Sequence, residues 1–109
     1  MRYLANAFSL SMLPSNAIIT VTSPSEEEVK EFLREGFVSA VGHTATAEII
    51  KELTGISVPV NRAPIALKEG DEVLVLQILK RLEEGKVLSS SEMRQLPVAW
   101  RKVKVSLTF

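Results

Sequence analysis

The chain has no cysteine and only one histidine among its 109 residues. The first absence removes disulfides, zinc–thiolate sites and thiol nucleophiles. The second leaves one imidazole, His43, for any acid–base work near neutral pH. Net charge is also absent, since 13 basic side chains balance 13 acidic ones. A generic nucleic-acid binder carries a basic excess that tracks phosphates, so this balance counts against that class. It leaves room for a small anionic ligand held by a few placed arginines. No apolar run approaches the roughly 20 residues that a spanning helix needs, and the start "MRYLANAFSLSML" lacks a signal-peptide layout. These features lead to the expectation of a soluble, intracellular protein with no membrane partner. Repeats, low-complexity stretches and linkers are missing too, and the length suits one domain, residues 1–109, rather than a catalytic domain plus a separate binding domain.

With 46% hydrophobic and 24% charged residues the composition is that of an ordinary globular chain. Arg2 to Phe8 is largely apolar and suits a strand buried on both faces. "AIITVT" is β-branched and strand-like. Ser25 with Glu28 three residues on forms a capping-box pattern, which predicts a helix over "SEEEVKEFLRE" with Val29, Phe32 and Leu33 buried and Gly36 as its stop. "FVSAV" is a short third strand, Gly42 permits a turn, and "TAEIIKEL" is a second helix closed by Gly55. Asn61 to Leu67, broken by Pro64, reads as an edge strand or an extended arm. "EVLVLQIL" is apolar on both faces except at Gln77 and belongs in the middle of the sheet. "SSSEMRQL" is a capped short helix ended by Pro97. From Trp100 the chain alternates, with Val103, Val105, Leu107 and Phe109 facing one way and Lys102, Lys104, Ser106 and Thr108 the other. The predicted architecture is α/β: a single mixed sheet of five or six strands with flanking helices.

Several polar residues sit in apolar places. Asn6, Ser9 and Ser11 follow the first strand, His43 opens the second helix, Arg62 lies in the arm, and Gln77 and Arg81 lie in and just after the central strand. Each has a plain structural reading: turn satisfaction for Asn6 and the serines, capping or a solvent-facing side chain for His43, a surface charge for Arg62. Gln77 resists one, because a buried amide needs partners. Together they also match an anion site, in which polar groups at strand ends face a helix N-terminus with free N–H groups. A phosphodiester bound there favours the charged imidazole that a general acid requires. Without a metal-ligand cluster or a Ser/His/Asp set in the sequence, one route remains for phosphodiester chemistry. In RNA the 2′-hydroxyl attacks the neighbouring phosphorus, and the protein orients the strand, stabilises charge and protonates the leaving 5′-oxygen.

In "LANAFSLSML", "VGHTATA", Asn61-Arg62 and "LQILKRLEEGKVLSSSE" the sequence resembles the viral ring nuclease, or type III anti-CRISPR, family of crenarchaeal viruses and some prokaryotes, over nearly the whole chain. The resemblance implies a homodimer that binds cyclic tetra-adenylate across its two-fold axis. It further implies cleavage of the ring, without metal or cofactor, to linear di-adenylate bearing 2′,3′-cyclic phosphate. It would do so in the cytoplasm of the infected host. By this resemblance His43 is the general acid, Arg81 the phosphate-binding arginine and Glu84 the carboxylate that tunes the histidine. Asn6, Ser9, Ser11, Arg62 and Gln77 are ligand contacts. Ser11 stands where other members often carry asparagine, and Ala45 where they often carry serine; Thr46 agrees with the family. A two-fold dimer would set one histidine against each of two opposite phosphates of a four-nucleotide ring. Two rival readings are a sponge that sequesters the cyclic nucleotide without cutting it, and a viral DNA-binding or regulatory protein. The neutral charge and the lack of a helix-turn-helix pattern weigh against specific DNA binding.

Overall fold

The computed structural model describes residues 1–82, 85 and 87–106. Five strands form one sheet: β1 (Arg2–Ala5), β2 (Ile18–Thr22), β3 (Val38–Ala40), β4 (Glu72–Ile78) and β5 (Val98–Ser106), in the spatial order β2-β5-β4-β1-β3. Three helices accompany them: α1 (Glu26–Arg34), α2 (Thr44–Thr54) and α3 (Ser90–Gln95). β1 pairs in parallel with β3 and with β4, while β5 runs antiparallel to both β4 and β2. The expected mixed α/β sheet is therefore what forms, with five strands. No helix among the described residues is long and apolar enough to cross a membrane.

β4 sets the plan. Val73, Leu74, Val75 and Leu76 are all buried, so successive side chains point apolar groups to both faces and both faces need a cover. On one face Leu74 and Leu76 join Leu4 of β1, Val29, Phe32 and Leu33 of α1, and Ala47, Ile49 and Ile50 of α2. On the other, Val73 and Val75 pack with Ala5, Leu67 and Val105, and no α-helix among the described residues lies there. That face is covered by Phe8, Met12 and Leu13 from a 3-10 turn (Leu10–Met12) after β1, and by Ile65 and Leu67 from the segment after α2. The two covers are joined where the Leu67 amide donates to the Met12 carbonyl at 2.8 Å.

The helices begin and end where the local chemistry directs. Ser25 Oγ accepts from the Glu28 amide at 3.2 Å, and Glu28 Oε1 accepts from the Ser25 amide at 3.2 Å, completing the capping box. The Ser25 amide first, and its hydroxyl second, hold the Glu28 carboxyl below its ordinary value of 4.5. α2 closes on Gly55, whose left-handed φ of 77° brings its amide within 2.7 Å of the Lys51 carbonyl. Ser89 and Glu92 cap α3 by the same reciprocal pair of bonds.

One alternative is settled and one expectation changes. Residues 61–67 form the extended arm rather than a strand, because Pro64 offers no amide to a ladder. Gln77 is not a buried amide: its side chain is exposed at the end of β4, past the point where the loops stop covering the sheet. The alternation of the last strand holds at Val103 and Val105, both buried, while Leu107 to Phe109 lie outside the described residues.

Leu74 is fully buried at the centre of the helix-side core. Leu74→Ala is expected to cost about 2–5 kcal/mol in chemical denaturation. A second effect depends on pH. A carboxyl whose folded-state value is depressed stabilises the fold above its unfolded value, and that contribution disappears as pH falls through the folded value. Glu28→Gln should therefore be less stable than the wild type at neutral pH, with the gap closing below about 4.5.

Candidate functional site

Because β1, β3 and β4 are parallel, their carboxyl ends share one rim of the sheet, and the segments leaving them are neighbours. Asn6 leaves β1, Gly42 and His43 follow β3, and Lys80 and Arg81 follow β4. The exits diverge. The chain leaving β1 crosses the helix-free face, whereas the chain leaving β3 enters α2 on the helical face. Adjacent parallel strands whose connections part to opposite faces leave a crevice at their carboxyl ends, the usual location of ligand sites on open sheets.

The backbone of Gly42 is held at both of its peptide units. Asn6 Oδ1 accepts from its amide at 3.2 Å, and Arg62 Nε donates to its carbonyl oxygen at 2.7 Å. A Cβ at position 42 would sit 3.4 Å from Arg62 Cγ, so the glycine lets the arginine stem lie close along the turn. His43 then serves as the N-cap residue of α2 through its backbone, with φ −133° and ψ 133°. Its side chain makes no capping bond and is exposed, so of its two plain readings capping falls and solvent exposure stands, and the ring has no hydrogen-bond partner among the described residues. α2 begins immediately behind it, with no acidic side chain in its first turn to offset the positive end of the helix dipole.

Arg62 reaches this position because the arm is fastened along the outer edge of β3. The Asn61 amide donates to the Val41 carbonyl at 2.8 Å, and Asn61 Nδ2 donates to the Ser39 carbonyl at 2.8 Å. Ser39 Oγ donates to the Pro59 carbonyl at 2.5 Å and accepts from the Val41 amide at 3.2 Å. Ser39 and Asn61 were not singled out from the sequence as functional positions. The available signal was the serine inside the otherwise apolar "FVSAV", which the structure buries.

The other predicted residues fall into three groups. Ser9 and Ser11 share a hydroxyl hydrogen bond of 2.9 Å, and Ser9 caps the 3-10 turn, so both serve the turn; Ser11 also lines a concavity of about 380 Å³ with Asn6, Met12 and Ala63. Gln77 lines a second concavity, of about 430 Å³, with Asn6, Val75 and Arg101, and the shared Asn6 makes the two neighbours. Arg81 is exposed and lines a separate cleft of about 250 Å³ with Lys80, Leu88 and Gln95. β3 and β4 flank β1, and β4 runs three residues past Val75, which is level with the last residue of β3, so the strand end that carries Arg81 lies two strand spacings across the sheet and about 10 Å further along it than the end that carries His43. Glu84 lies outside the described residues.

What the site can do follows from this inventory: a donor for an anion on Arg62, amide chemistry on Asn6 and Gln77, and one exposed imidazole at the mouth of a helix, with Arg81 in the separate cleft beyond β4. A small mixed sheet with all its helices on one face and a polar crevice at its carboxyl rim defines the class of protein. The particular family is established by comparison. The family model described as STIV B116-like matches residues 2–101, and this chain belongs to that family. It is 39% identical over 94 residues, covering 84% of this chain and 80% of the relative, to "Uncharacterized protein 26" of Sulfolobus islandicus filamentous virus. It is 37% identical over 89 residues, 79% of this chain and 76% of the relative, to "Uncharacterized protein ORF117" of Acidianus two-tailed virus. Among solved structures it is similar to B116 of Sulfolobus turreted icosahedral virus, with a TM-score of 0.81 and 34% identity over 94% of this chain and 97% of that one. These relatives place the chain in a family of small proteins from crenarchaeal viruses.

Asn6→Ala removes the acceptor for the Gly42 amide. Hydrogen exchange at that amide, followed by NMR, is expected to accelerate at least about tenfold while the thermal midpoint moves little, because an exposed turn opens without global unfolding.

Proposed function

We propose that this protein is a metal-independent ring nuclease that cuts cyclic tetra-adenylate to linear di-adenylate with a 2′,3′-cyclic phosphate, and so blunts a type III CRISPR defence of the host. The observation that carries the reading is the Gly42 peptide clamped by Asn6 and Arg62, which leaves the only imidazole of the chain uncommitted beside a helix N-terminus. The relatives' origin in crenarchaeal viruses supports the biological setting.

In this mechanism the substrate supplies its own nucleophile, the 2′-hydroxyl adjacent to the scissile phosphate. Its oxygen gives up its proton to solvent water as it attacks phosphorus, the bond to the 5′-oxygen breaks, and a 2′,3′-cyclic phosphate remains where the bond was cut. His43 in its protonated form gives its proton to the departing 5′-oxygen. Arg62, with its Nε occupied on the Gly42 carbonyl, keeps its terminal nitrogens for phosphate oxygens, and Arg81 offsets the charge that builds on phosphorus. Asn6 and Gln77 line the larger concavity and supply hydrogen bonds to sugar or base.

A symmetric dimer belongs to the proposal. Two features support it. Val21 is 53% exposed on the helix-free face, where it lines the larger concavity with Ile19, Val75 and Val103. Among the described residues, β2 pairs only with β5, which leaves its outer edge open. An apolar sheet face beside an open strand edge is a surface that a second copy can bury.

The decisive measurement is cleavage of cyclic tetra-adenylate under turnover conditions in excess chelator. Wild type is expected to cut many rings per dimer, and His43→Ala to bind the ring while cutting at least about a hundredfold more slowly. Full activity of His43→Ala removes the histidine from the mechanism. Saturation at one uncut ring per dimer makes the protein a sponge.

A further inference from the structure

We infer that Ser39 and Asn61 are positioning residues of this site, which set the place of the His43 imidazole by fastening the 59–62 segment to the edge of β3. The inference rests on the reading of His43 as proton donor for its catalytic part, while its structural part stands on geometry alone.

β3 has only three residues and lies at the edge of the sheet, so on its own it gives the following turn little support. The missing neighbour is supplied by the arm. Pro59 cannot donate from its backbone, yet its carbonyl takes the Ser39 hydroxyl, and Asn61 then contacts β3 twice, at the Val41 carbonyl by its amide and at the Ser39 carbonyl by its side chain. These contacts span one side of β3 from residue 39 to residue 41. The next residue along the arm is Arg62, and the next contact in the same register is its Nε on the Gly42 carbonyl. The series is thus a zip of four hydrogen bonds that ends on the peptide immediately before His43.

The zip matters for chemistry because, among the described residues, no side-chain hydrogen bond orients the His43 ring. Its Cα is fixed only through the backbone, by Gly42 on one side and by the start of α2 on the other. Asn6 holds the Gly42 amide, which belongs to the peptide joining residues 41 and 42, and this leaves the next peptide, between Gly42 and His43, free to turn about ψ of the glycine. The Arg62 bond removes that freedom, and Asn61 fixes where Arg62 begins. Ser39 completes the arrangement from inside the strand: buried to 5% exposure, its hydroxyl both donates to the arm and accepts from Val41, two residues before the histidine. A displacement of about 1 Å in a reacting group is enough to slow a reaction substantially without weakening ligand binding.

The test uses the single histidine as its own reporter. One imidazole gives one pair of ring C–H resonances, and these report its surroundings with no substrate present. Asn61→Asp keeps the shape of the side chain but replaces the donor with a carboxylate facing the Ser39 carbonyl, at an exposed position where the fold is retained. The expected result is a thermal midpoint near that of wild type, displaced His43 ring resonances, and a turnover rate on cyclic tetra-adenylate reduced about tenfold with KM within about twofold. Ser39→Ala, which opens the zip from the other side, is expected to displace the same resonances in the same direction. Ring resonances that coincide with wild type in both variants overturn the inference. So does a rise in KM at unchanged turnover rate, which would make Asn61 a ligand contact. Should wild type cut no cyclic tetra-adenylate, the nuclease reading fails, and the resonances alone decide whether the zip positions His43.

Discussion

The apolar residues of β4 impose the constraint from which the rest of this structure follows. Val73 to Leu76 are buried without interruption, so the sheet has two faces to cover, and the chain spends its helices on one. The second face has to be closed with irregular segments: the 3-10 turn after β1 and the arm after α2. The arm must travel from the end of α2 on the helical side to the opposite side before entering β4, and it does so around the β3 edge. Arg62 meets Gly42 because of that route. The candidate site is in this sense a by-product of covering the sheet, since the segment that buries Ile65 and Leu67 also delivers the arginine.

The same geometry explains why a chain with so few chemically distinctive residues can present a site at all. One parallel trio of strands places three loop origins side by side, and divergence of two of the exits leaves space between them. The polar groups there are inexpensive ones: an asparagine, a glycine peptide, an arginine whose stem packs along that glycine, and an imidazole held by its backbone. No buried charge has to be compensated at the clamp, because Arg62 and His43 are both exposed and Asn6 is partly so. Stability and site therefore draw on largely separate residues, with Ser39 as the position where they meet.

Much of this was legible in the sequence. Ser25 with Glu28 announced α1, Gly55 announced the end of α2, and the apolar run from Glu72 placed β4 at the centre, because local hydrogen bonding and hydrophobic pattern decide those features. Gly42 and His43 were placed correctly at a strand-to-helix turn for the same reason. Gln77 was misread as buried: alternation along a strand says which face a side chain takes, but not where the cover over that face ends. The strand count stayed open between five and six because Asn61 to Leu67 has strand-like composition, and only Pro64 argued against a ladder. The Asn61–Ser39 and Arg62–Gly42 bonds join residues 20 to 22 apart through an irregular segment, and no periodicity encodes such contacts.

The zip along β3 has one more effect, on how sheets can join. A five-stranded sheet has two edges, and here one is already satisfied by the chain's own arm while the other, on β2, is open among the described residues. In the vocabulary of assembly the sheet has a valence of one. Edge pairing between identical copies then has to join β2 to β2, which closes on itself about a two-fold axis and leaves no strand for a third copy. A chain with both edges open could instead grow head to tail without limit. The hydrogen bonds that fasten Asn61 and Ser39 thus also act as a chain terminator, confining any sheet-edge assembly to a pair.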